Sequence, residues 1–276
     1  MSRLLRPSVP GDTGEMKSLW ALCFGDEEEF IDLFFTALYR PGMAAVFEAE
    51  GRLAAMAFAI PGFILHEPGR PDRSAAYLYG VATHPSQRGR GYGAAVSKAA
   101  AELGDCDITA LLPASEALRL WYAKDMGARC FNRIWEEHFP RKAHGAHGAR
   151  LRRLDPVEYL LRREALLSCL PHVEPPLDFL SLAGTELGRG GGGLFAWRGG
   201  VCAVELRGDT VLAKELLPAD GAADAASEIL DFFPAERLTA RLPASHGGRA
   251  MDFMMALPCA PVTASPSEIH WGLALD

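Results

Sequence analysis

Apolar and polar residues alternate with helical and strand periods along the first half of the chain. The pattern predicts a strand, two helices, a hairpin, a strand, a helix, a strand, a helix and a final strand, which is an α/β arrangement. Asp26, with Glu29 three residues later, is predicted to cap the second helix. The elements are predicted at Leu4–Leu5, Gly14–Phe24, Phe30–Tyr39, Val46–Ala49, Leu53–Ile60, Ala75–Thr83, Gly91–Leu103, Ile108–Leu112, Ser115–Met126 and Ala128–Trp135.

The second half of the chain repeats part of this order. A hairpin, a further strand and a helix again follow one another, so we interpret this half as a degenerate copy of the first. The apolar segment Ile269–Leu275 is predicted to form a terminal edge strand. The other elements are predicted as a helix at Asp155–Leu167, a glycine loop at Gly188–Gly193, strands at Leu194–Trp197, Val201–Leu206 and Thr210–Leu217, and a helix ending at Phe232.

A polar stretch of small residues without periodicity separates the two halves. We interpret its histidines, His144 and His147, as linker residues rather than ligands. The sequence therefore predicts a first domain at residues 1–140, a linker at 141–150 and a second, smaller domain at 151–276.

Composition and charge narrow the class of protein. The chain is 49% hydrophobic and 23% charged, as globular proteins are. No apolar run reaches the roughly 18 residues that span a bilayer, and Pro7 precedes any signal-like apolar region, so we expect a cytoplasmic protein without a membrane partner. The net charge of -7 argues against a nucleic-acid partner and is compatible with a cationic small molecule, although it also serves solubility. Monomer and homo-oligomer are equally compatible with the sequence.

The six cysteines are scattered along the chain. They form no Cys-x-x-Cys pair, and no histidines stand at zinc-finger spacing from them. We expect buried free thiols and no metal site. The cysteines are Cys23, Cys106, Cys130, Cys169, Cys202 and Cys259.

A glycine-rich segment, Arg88-Gly89-Arg90-Gly91-Tyr92-Gly93, connects a predicted strand to a predicted helix. Glycines at alternate positions let the main chain approach a ligand closely, and the start of the helix offers free N–H groups at the positive end of its dipole. The two arginines add positive charge. The segment therefore predicts a cradle for a pyrophosphate group.

Other glycine motifs fit this segment less well. A P-loop needs Gly-Lys-Ser/Thr, which Tyr92-Gly93-Ala94 does not provide. Gly89-x-Gly91-x-x-Ala94 formally matches a Rossmann fingerprint, but Leu111-Leu112-Pro113 stands where that fold has an acidic residue, and Asp107 is at the wrong end of its strand. A glycine-rich turn that binds no ligand is the remaining alternative.

Val81-Ala82-Thr83-His84-Pro85, followed by Arg88-x-x-Gly91-x-Gly93, resembles motif A of the GNAT superfamily of N-acetyltransferases. The segment from Ser115 through Tyr122 to Gly127 is similar to the motif that follows it. The resemblance implies a mixed, mostly antiparallel sheet flanked by helices, with a second, degenerate GNAT-like unit at the C-terminus. It also implies acetyl-CoA as co-substrate and direct acetyl transfer to a small primary amine.

Site residues follow from the resemblance by position. Main-chain groups of the strand that ends at Thr83 would bind the pantetheine arm, where this strand splays from the next one. The glycine loop would bind the pyrophosphate, and Ser115 would lie near the CoA arm, although a helix cap is its alternative role. The implied cofactor-binding residues are Val81, Ala82, Thr83, Arg88, Gly89, Arg90, Gly91, Tyr92, Gly93, Ala94 and Ser115.

Tyr122 matches the tyrosine general acid of the family. Attack by an amine on a thioester expels a thiolate, which a tyrosine still protonated at neutral pH can protonate. A packing role is the alternative, because the spacing from Tyr122 to Gly127 is one residue longer than expected and Ala128 replaces an aromatic residue.

The sequence does not single out a general base that would deprotonate the amine. Some family members carry a glutamate on the strand before the glycine loop, but Tyr77 and Tyr79 occupy that stretch here. A chain of water molecules or His84 would then take the proton. The acceptor pocket is predicted to combine aromatic walls with carboxylates, and core packing without a ligand is the alternative role of the aromatic residues. A non-catalytic acyl-CoA sensor or scaffold is the alternative function. The candidate walls are Phe24, Phe30, Phe34, Tyr79 and Trp121.

The segment Leu19-Trp20-x-x-Cys23-Phe24-Gly25-Asp26 resembles the bacterial branch related to the enhanced-intracellular-survival acetyltransferases. Those proteins join an active GNAT unit to a second GNAT-like unit and a lipid-carrier-like domain, and this chain is too short for all three. The resemblance implies that the carboxylate of Asp276 could enter the active site, with the end of an edge strand as the alternative.

Overall fold

A computed structural model describes residues 3–141, 151–218, 221–243, 247–258 and 262–276 of the chain. Apart from Arg141, the predicted linker lies outside the described residues. The described residues form two compact units. The first comprises Met1–Ile64, Arg73–Arg129 and Met254–Pro261, and the second comprises Leu65–Asp72, Cys130–Phe253 and Val262–Asp276.

The first half of the chain contains strands and helices in the alternation that the sequence predicts, and the second half also contains elements that were not predicted, among them a helix at Leu177–Arg189 and a strand at Arg237–Leu242. The helices are α1 (Thr13–Phe24), α2 (Glu28–Ala37), α3 (Tyr92–Gly104), α4 (Glu116–Met126), α5 (Pro156–Leu167), α6 (Leu177–Arg189) and α7 (Ala222–Phe232). The strands are β1 (Arg3–Pro7), β2 (Ala44–Ala49), β3 (Arg52–His66), β4 (Arg73–Thr83), β5 (Ile108–Leu111), β6 (Arg129–Cys130), β7 (Arg133–Pro140), β8 (Arg152–Arg153), β9 (His172–Glu174), β10 (Gly193–Trp197), β11 (Gly200–Arg207), β12 (Thr210–Pro218), β13 (Arg237–Leu242), β14 (Arg249–Asp252) and β15 (Met255–Ala256). None of the described helices is long and apolar enough to cross a membrane.

The first unit is built on a mixed sheet with the strand order β1-β2-β3-β4-β5-β15-β6. The β1–β2, β2–β3 and β5–β15 pairs are antiparallel, and the β4–β5 pair is parallel. Strand β9 also pairs with β3, whose last two residues, Leu65 and His66, belong to the second unit. The sheet is therefore mixed and mostly antiparallel, as predicted.

Strand β4 separates from β5 halfway along its length. Their parallel register runs from Ala75 opposite Ile108 to Tyr77 opposite Ala110, while β4 continues to Thr83. Gly80 interrupts β4 with a φ of 58°. A Cβ at Gly80 would lie 2.9 Å from the Phe58 ring, so glycine is required both for the backbone bend and for the close packing. The predicted cleft between the two strands is therefore present.

An aromatic cluster around the buried Trp20 packs α1 and α2 against the sheet. The Trp20 ring lies 4.7 Å from Phe34, 5.6 Å from Tyr79 and 5.7 Å from Phe58, measured between centroids. The indole N–H of Trp20 donates to the Asp26 carboxylate at 2.7 Å. A buried indole N–H needs an acceptor, which explains why the predicted cap at Asp26 is wrong.

Helix α2 starts instead at Glu28. Its N-cap residue is Glu27, whose side chain makes no capping hydrogen bond. Acidic residues in the first turn, Glu28 and Glu29, still favour the helix through its dipole. The predicted cap at Ser115 is confirmed, because Ser115 accepts from the Leu118 N–H. Helix α5 has an equivalent cap in Asp155, which accepts from the Glu158 N–H.

The second unit has its own sheet, with the strand order β14-β7-β13-β12-β11-β10-β8. Strands β10, β11 and β12 form an antiparallel meander, and β13 lies parallel to β12. Helix α7 connects β12 to β13, as α3 connects β4 to β5. The unit therefore repeats the element order of the first, which confirms the predicted GNAT-like copy.

The compact units do not coincide with the predicted domains. The strand predicted at Ala128–Trp135 is two strands, because β6 joins the first sheet and β7 joins the second. Between them, the fully buried Asn132 donates to the carbonyl oxygen of Trp271 at 3.2 Å, which fixes the chain where it enters the second unit. Residues Met254–Pro261 return to the first unit.

The glycine loop predicted at Gly188–Gly193 is present but shorter, because Gly188 and Arg189 end α6 and Gly193 begins β10. The edge strand predicted at Ile269–Leu275 is wrong. Most of this segment is buried, and among the described residues its strand-like contact is a single bridge between His270 and His172. Among the five described cysteines all are free, but only Cys202 is fully buried.

Candidate active site

The glycine loop leaves β4 and leads into α3. Gly89 and Gly91 adopt left-handed backbone conformations, with φ values of 77° and 82°. A Cβ at either position would meet no protein atom within 4 Å, so it is the backbone conformation that requires glycine there. Helix α3 begins at Tyr92, immediately after Gly91, and its first-turn N–H groups have no partners within the helix. The loop thus presents main-chain donors at the positive end of a 13-residue helix.

Gly93 has a different role, because it lets α3 approach its neighbours. A Cβ at Gly93 would lie 3.2 Å from Oγ1 of Thr83 and 3.7 Å from the Trp121 ring. The Nε group of Arg88 donates to the Thr83 carbonyl at 3.3 Å. The loop is therefore held against the end of β4, with the rest of the Arg88 guanidinium exposed.

A cavity of about 970 Å³ lies beside this loop in the first unit. Its volume is in the range of cofactor sites. Ten of the twelve predicted site residues line it: Val81, Ala82, Thr83, Arg88, Gly89, Gly91, Tyr92, Gly93, Ala94 and Tyr122. The other two are not part of the lining. Arg90 is exposed, and the hydroxyl of Ser115 caps α4 beside the cavity residue Ala114.

Tyr122 lies on α4 and is only 6% exposed. Its ring contacts the Trp121 ring edge-on at a centroid distance of 4.6 Å and packs into the core of the first unit. Among the described residues its hydroxyl has no hydrogen-bond partner. Burial raises the pKa of Tyr122 well above its ordinary value, so the phenol keeps its proton at neutral and moderately alkaline pH.

His84, the candidate base, lies beside a second cavity of about 690 Å³ in the same unit. Its Nδ1 atom is 2.9 Å from the Ser86 hydroxyl and accepts from the Ser86 N–H at 3.3 Å. His84 is not among the residues that line the larger cavity with Tyr122. Gln87 lines both cavities, so they adjoin at the start of the glycine loop.

Two of the predicted aromatic walls, Phe24 and Trp121, line the larger cavity. Phe24 also packs edge-on against Trp20 at a centroid distance of 5.5 Å. Phe30, Phe34 and Tyr79 belong to the aromatic cluster around Trp20 and do not line this cavity. Phe34 is fully buried, so it is a core residue.

Sequence reasoning missed three polar residues that line the larger cavity: Cys23, Gln87 and Asp125. The thiol of Cys23 donates to the Thr83 carbonyl at 3.5 Å. The Oε1 atom of Gln87 is buried without a hydrogen-bond partner among the described residues. Asp125 was detectable, because residues three apart share a helix face and Asp125 follows Tyr122 by three positions.

Asp276 lies in the second unit and is already paired there. Its side-chain carboxylate is 2.6 Å from Arg241 and 2.9 Å from Lys214, and Lys214 also donates to its main-chain carboxyl oxygen at 2.6 Å. Burial alone would raise the pKa of the Asp276 carboxyl, but these two cations outweigh that effect and lower it.

The chain resembles known acetyltransferases in sequence and in fold. Residues 5–103 match the family model described as an acetyltransferase (GNAT) domain. No curated protein sequence matches the chain.

Solved structures of acetyltransferases superpose on both units. A GCN5-related N-acetyltransferase from Kribbella flavida is 16% identical with a TM-score of 0.70, over 92% of this chain and 71% of that chain. One from Anabaena variabilis ATCC 29413 is 13% identical with a TM-score of 0.66, over 92% and 72%. Eis1 from Mycobacterium abscessus is 12% identical with a TM-score of 0.62, over 92% and 73%.

Identities this low show the fold alone. Because the superpositions cover 92% of this chain, the likeness in fold includes both units. The family is carried by the match to residues 5–103, which includes β4, the glycine loop and most of α3. The chain therefore carries an acetyltransferase domain of the GNAT superfamily in its first unit, which confirms the family, the fold class and the acyltransferase class that the sequence predicts.

Proposed function

We propose that the chain transfers the acetyl group of acetyl-CoA to a small primary amine in the cavity beside the glycine loop. The observation that carries this proposal is the convergence of the loop, the free end of β4 and Tyr122 on one cavity. Main-chain N–H groups of residues 89–94 bind the diphosphate, with Arg88 adding positive charge. Main-chain groups of Val81 and Thr83 bind the pantetheine arm, because β4 no longer pairs with β5 there.

Carboxylates near the cavities support an amine as acceptor. Asp125 lines the larger cavity, and Glu15 and Glu50 line the adjoining one. A protonated amine is attracted to such groups before it loses its proton and reacts. Phe24 and Trp121 supply apolar walls for the carbon skeleton of the acceptor.

The reaction proceeds by direct attack. Acetyl-CoA supplies the thioester, and the nitrogen of the neutral amine forms a bond to the carbonyl carbon as the C–S bond breaks. Tyr122 donates its phenolic proton to the departing sulfur and recovers a proton from solvent or from the product. Because burial raises the pKa of Tyr122, the phenol has its proton to donate at neutral pH.

A thiol-release assay tests this proposal. Acetyl-CoA is incubated with pools of polyamines, aminoglycosides and amino-acid derivatives, and the product is identified by a mass increase of one acetyl group. We expect at least one pool to give acceptor-dependent release above slow hydrolysis. CoA binding without release from any pool would favour the non-catalytic sensor or scaffold.

A further inference from the structure

The second unit contains a cluster of imidazole and carboxylate groups that the proposed acetyl transfer does not use. At its centre are His66, Glu164 and His172, whose nitrogen and oxygen atoms lie within 4.8 Å of one another. These residues come from the end of β3, from α5 and from β9. Folding therefore brings His66 beside two residues that are far from it in the sequence.

Both ring nitrogens of His172 lie beside hydrogen-bond acceptors, although a neutral imidazole has only one N–H to donate. Its Nδ1 atom is 2.7 Å from the carbonyl oxygen of Leu170, which can only accept, so Nδ1 carries the proton of the neutral ring. Its Nε2 atom is 2.7 Å from Oε2 of Glu164. In the neutral ring the lone pair of Nε2 points at a carboxylate oxygen, and a cation between the two atoms would satisfy both.

Both ring nitrogens of His66 also lie beside acceptors. Its Nδ1 atom is 2.8 Å from Asp72 and its Nε2 atom is 2.9 Å from Glu174. A neutral ring can donate to only one of these carboxylates. The rings of His66 and His172 lie 5.0 Å apart between centroids, and one nitrogen of each ring lies within 4.8 Å of the other and of a Glu164 oxygen.

We propose that His66, Glu164 and His172 bind a divalent transition-metal ion, with zinc as the ion that fits best. Two imidazole nitrogens and one carboxylate oxygen form a ligand set that zinc accepts, with a fourth position for water. The side chains of His66 and Glu164 are 27% and 24% exposed, so the site can be reached from solvent. The ion would fasten the end of β3 to α5 and β9 within the second unit.

The surrounding residues orient these ligands. The Leu170 carbonyl fixes the tautomer of His172, as backbone carbonyls do for many metal-binding histidines. Arg163 donates to Oε1 of Glu164 at 2.7 Å and leaves Oε2 for the ion. Zinc–ligand bonds of about 2.1 Å place ligand atoms roughly 3.4 Å apart, so the contact between His172 and Glu164 opens by less than about 1 Å on binding.

The charge of the cluster also favours a dication. Asp72, Glu164 and Glu174 surround the two rings, and Glu215 pairs with Arg163 behind them. Four carboxylates against one guanidinium leave an excess of three negative charges before the imidazoles are counted. A dication neutralises most of this excess.

The test is zinc binding to the tag-free full chain after removal of metal by a chelator. Competition with a chromophoric chelator gives the affinity and the stoichiometry, and cobalt gives a visible spectrum that reports the coordination geometry. The informative variants are His66→Asn and the nearly isosteric Glu164→Gln. Matched controls are His138→Ala, which changes an exposed histidine of the same unit, and the double change His144→Ala with His147→Ala.

We expect one zinc per chain, with affinity lowered at least about 100-fold in both ligand variants and unchanged in both controls. Zinc should raise the unfolding temperature of the parent and controls only. Circular dichroism checks folding, and if His66→Asn does not fold, Glu164→Gln alone decides. Absence of saturable binding, or binding that survives Glu164→Gln or disappears with His144 and His147, would overturn the proposal.

Discussion

Replacement of Gly91 by valine separates the role of the glycine loop in cofactor binding from its role in stability. Gly91 has a φ of 82°, and a Cβ there would meet no protein atom within 4 Å. Gly42 is a matched control, because its φ is 91° and its surroundings are equally open. A β-branched residue in this conformation costs about 1–2 kcal/mol, so both variants should lose similar stability.

Only the change at Gly91 places a side chain beside the cavity, where the diphosphate is expected. Loss of one charge-assisted hydrogen bond costs about 1.5–3 kcal/mol, which corresponds to a roughly 10- to 150-fold weaker complex. Isothermal titration calorimetry with CoA should therefore show this loss in Gly91→Val and parental affinity in Gly42→Val. Equal affinity in the two variants would refute the assignment of the loop.

Three further predictions concern the cavity and its support. Cys23→Ala should keep turnover within about twofold of the parent, measured by thiol release, because direct transfer needs no acetylated thiol; abolished turnover would indicate an acetyl-enzyme. Since burial raises the pKa of Tyr122, the rate should increase with pH as the amine loses its proton, and a decline below about pH 9 in the pH–rate profile would contradict that role. Gly80→Val should destabilise the first unit by about 2–4 kcal/mol in urea unfolding, because the new Cβ would meet the Phe58 ring and the φ of residue 80 is positive. A loss of stability no larger than that of Gly42→Val would contradict the packing argument.

Local patterns predicted the parts of the site that depend on neighbouring residues. The glycine loop, the start of α3 and the cap at Ser115 each depend on a few consecutive positions, and the structure contains all three. The separation of β4 from β5 was also expected, and Gly80 accounts for it physically.

Features that depend on distant partners could not be predicted in the same way. Asp26 accepts from the Trp20 indole rather than capping α2, and that choice depends on how α1 packs. The segment Ile269–Leu275 is mostly buried without forming a strand, and a buried segment of this kind has the same apolar sequence as an edge strand. The proximity of His66, Glu164 and His172 could not be predicted, because His66 and His172 are distant in the sequence and meet only in the folded second unit.

The measurement that tests the central claim most directly is the kinetic comparison of Tyr122→Phe with the parent chain. Phenylalanine keeps the ring that packs against Trp121 and removes the only acidic proton of that side chain. If Tyr122 protonates the departing thiolate, kcat should fall by roughly 10²- to 10⁴-fold while the affinity for acetyl-CoA changes little. A kcat within about threefold of the parent, measured where chemistry limits the rate, would contradict the account.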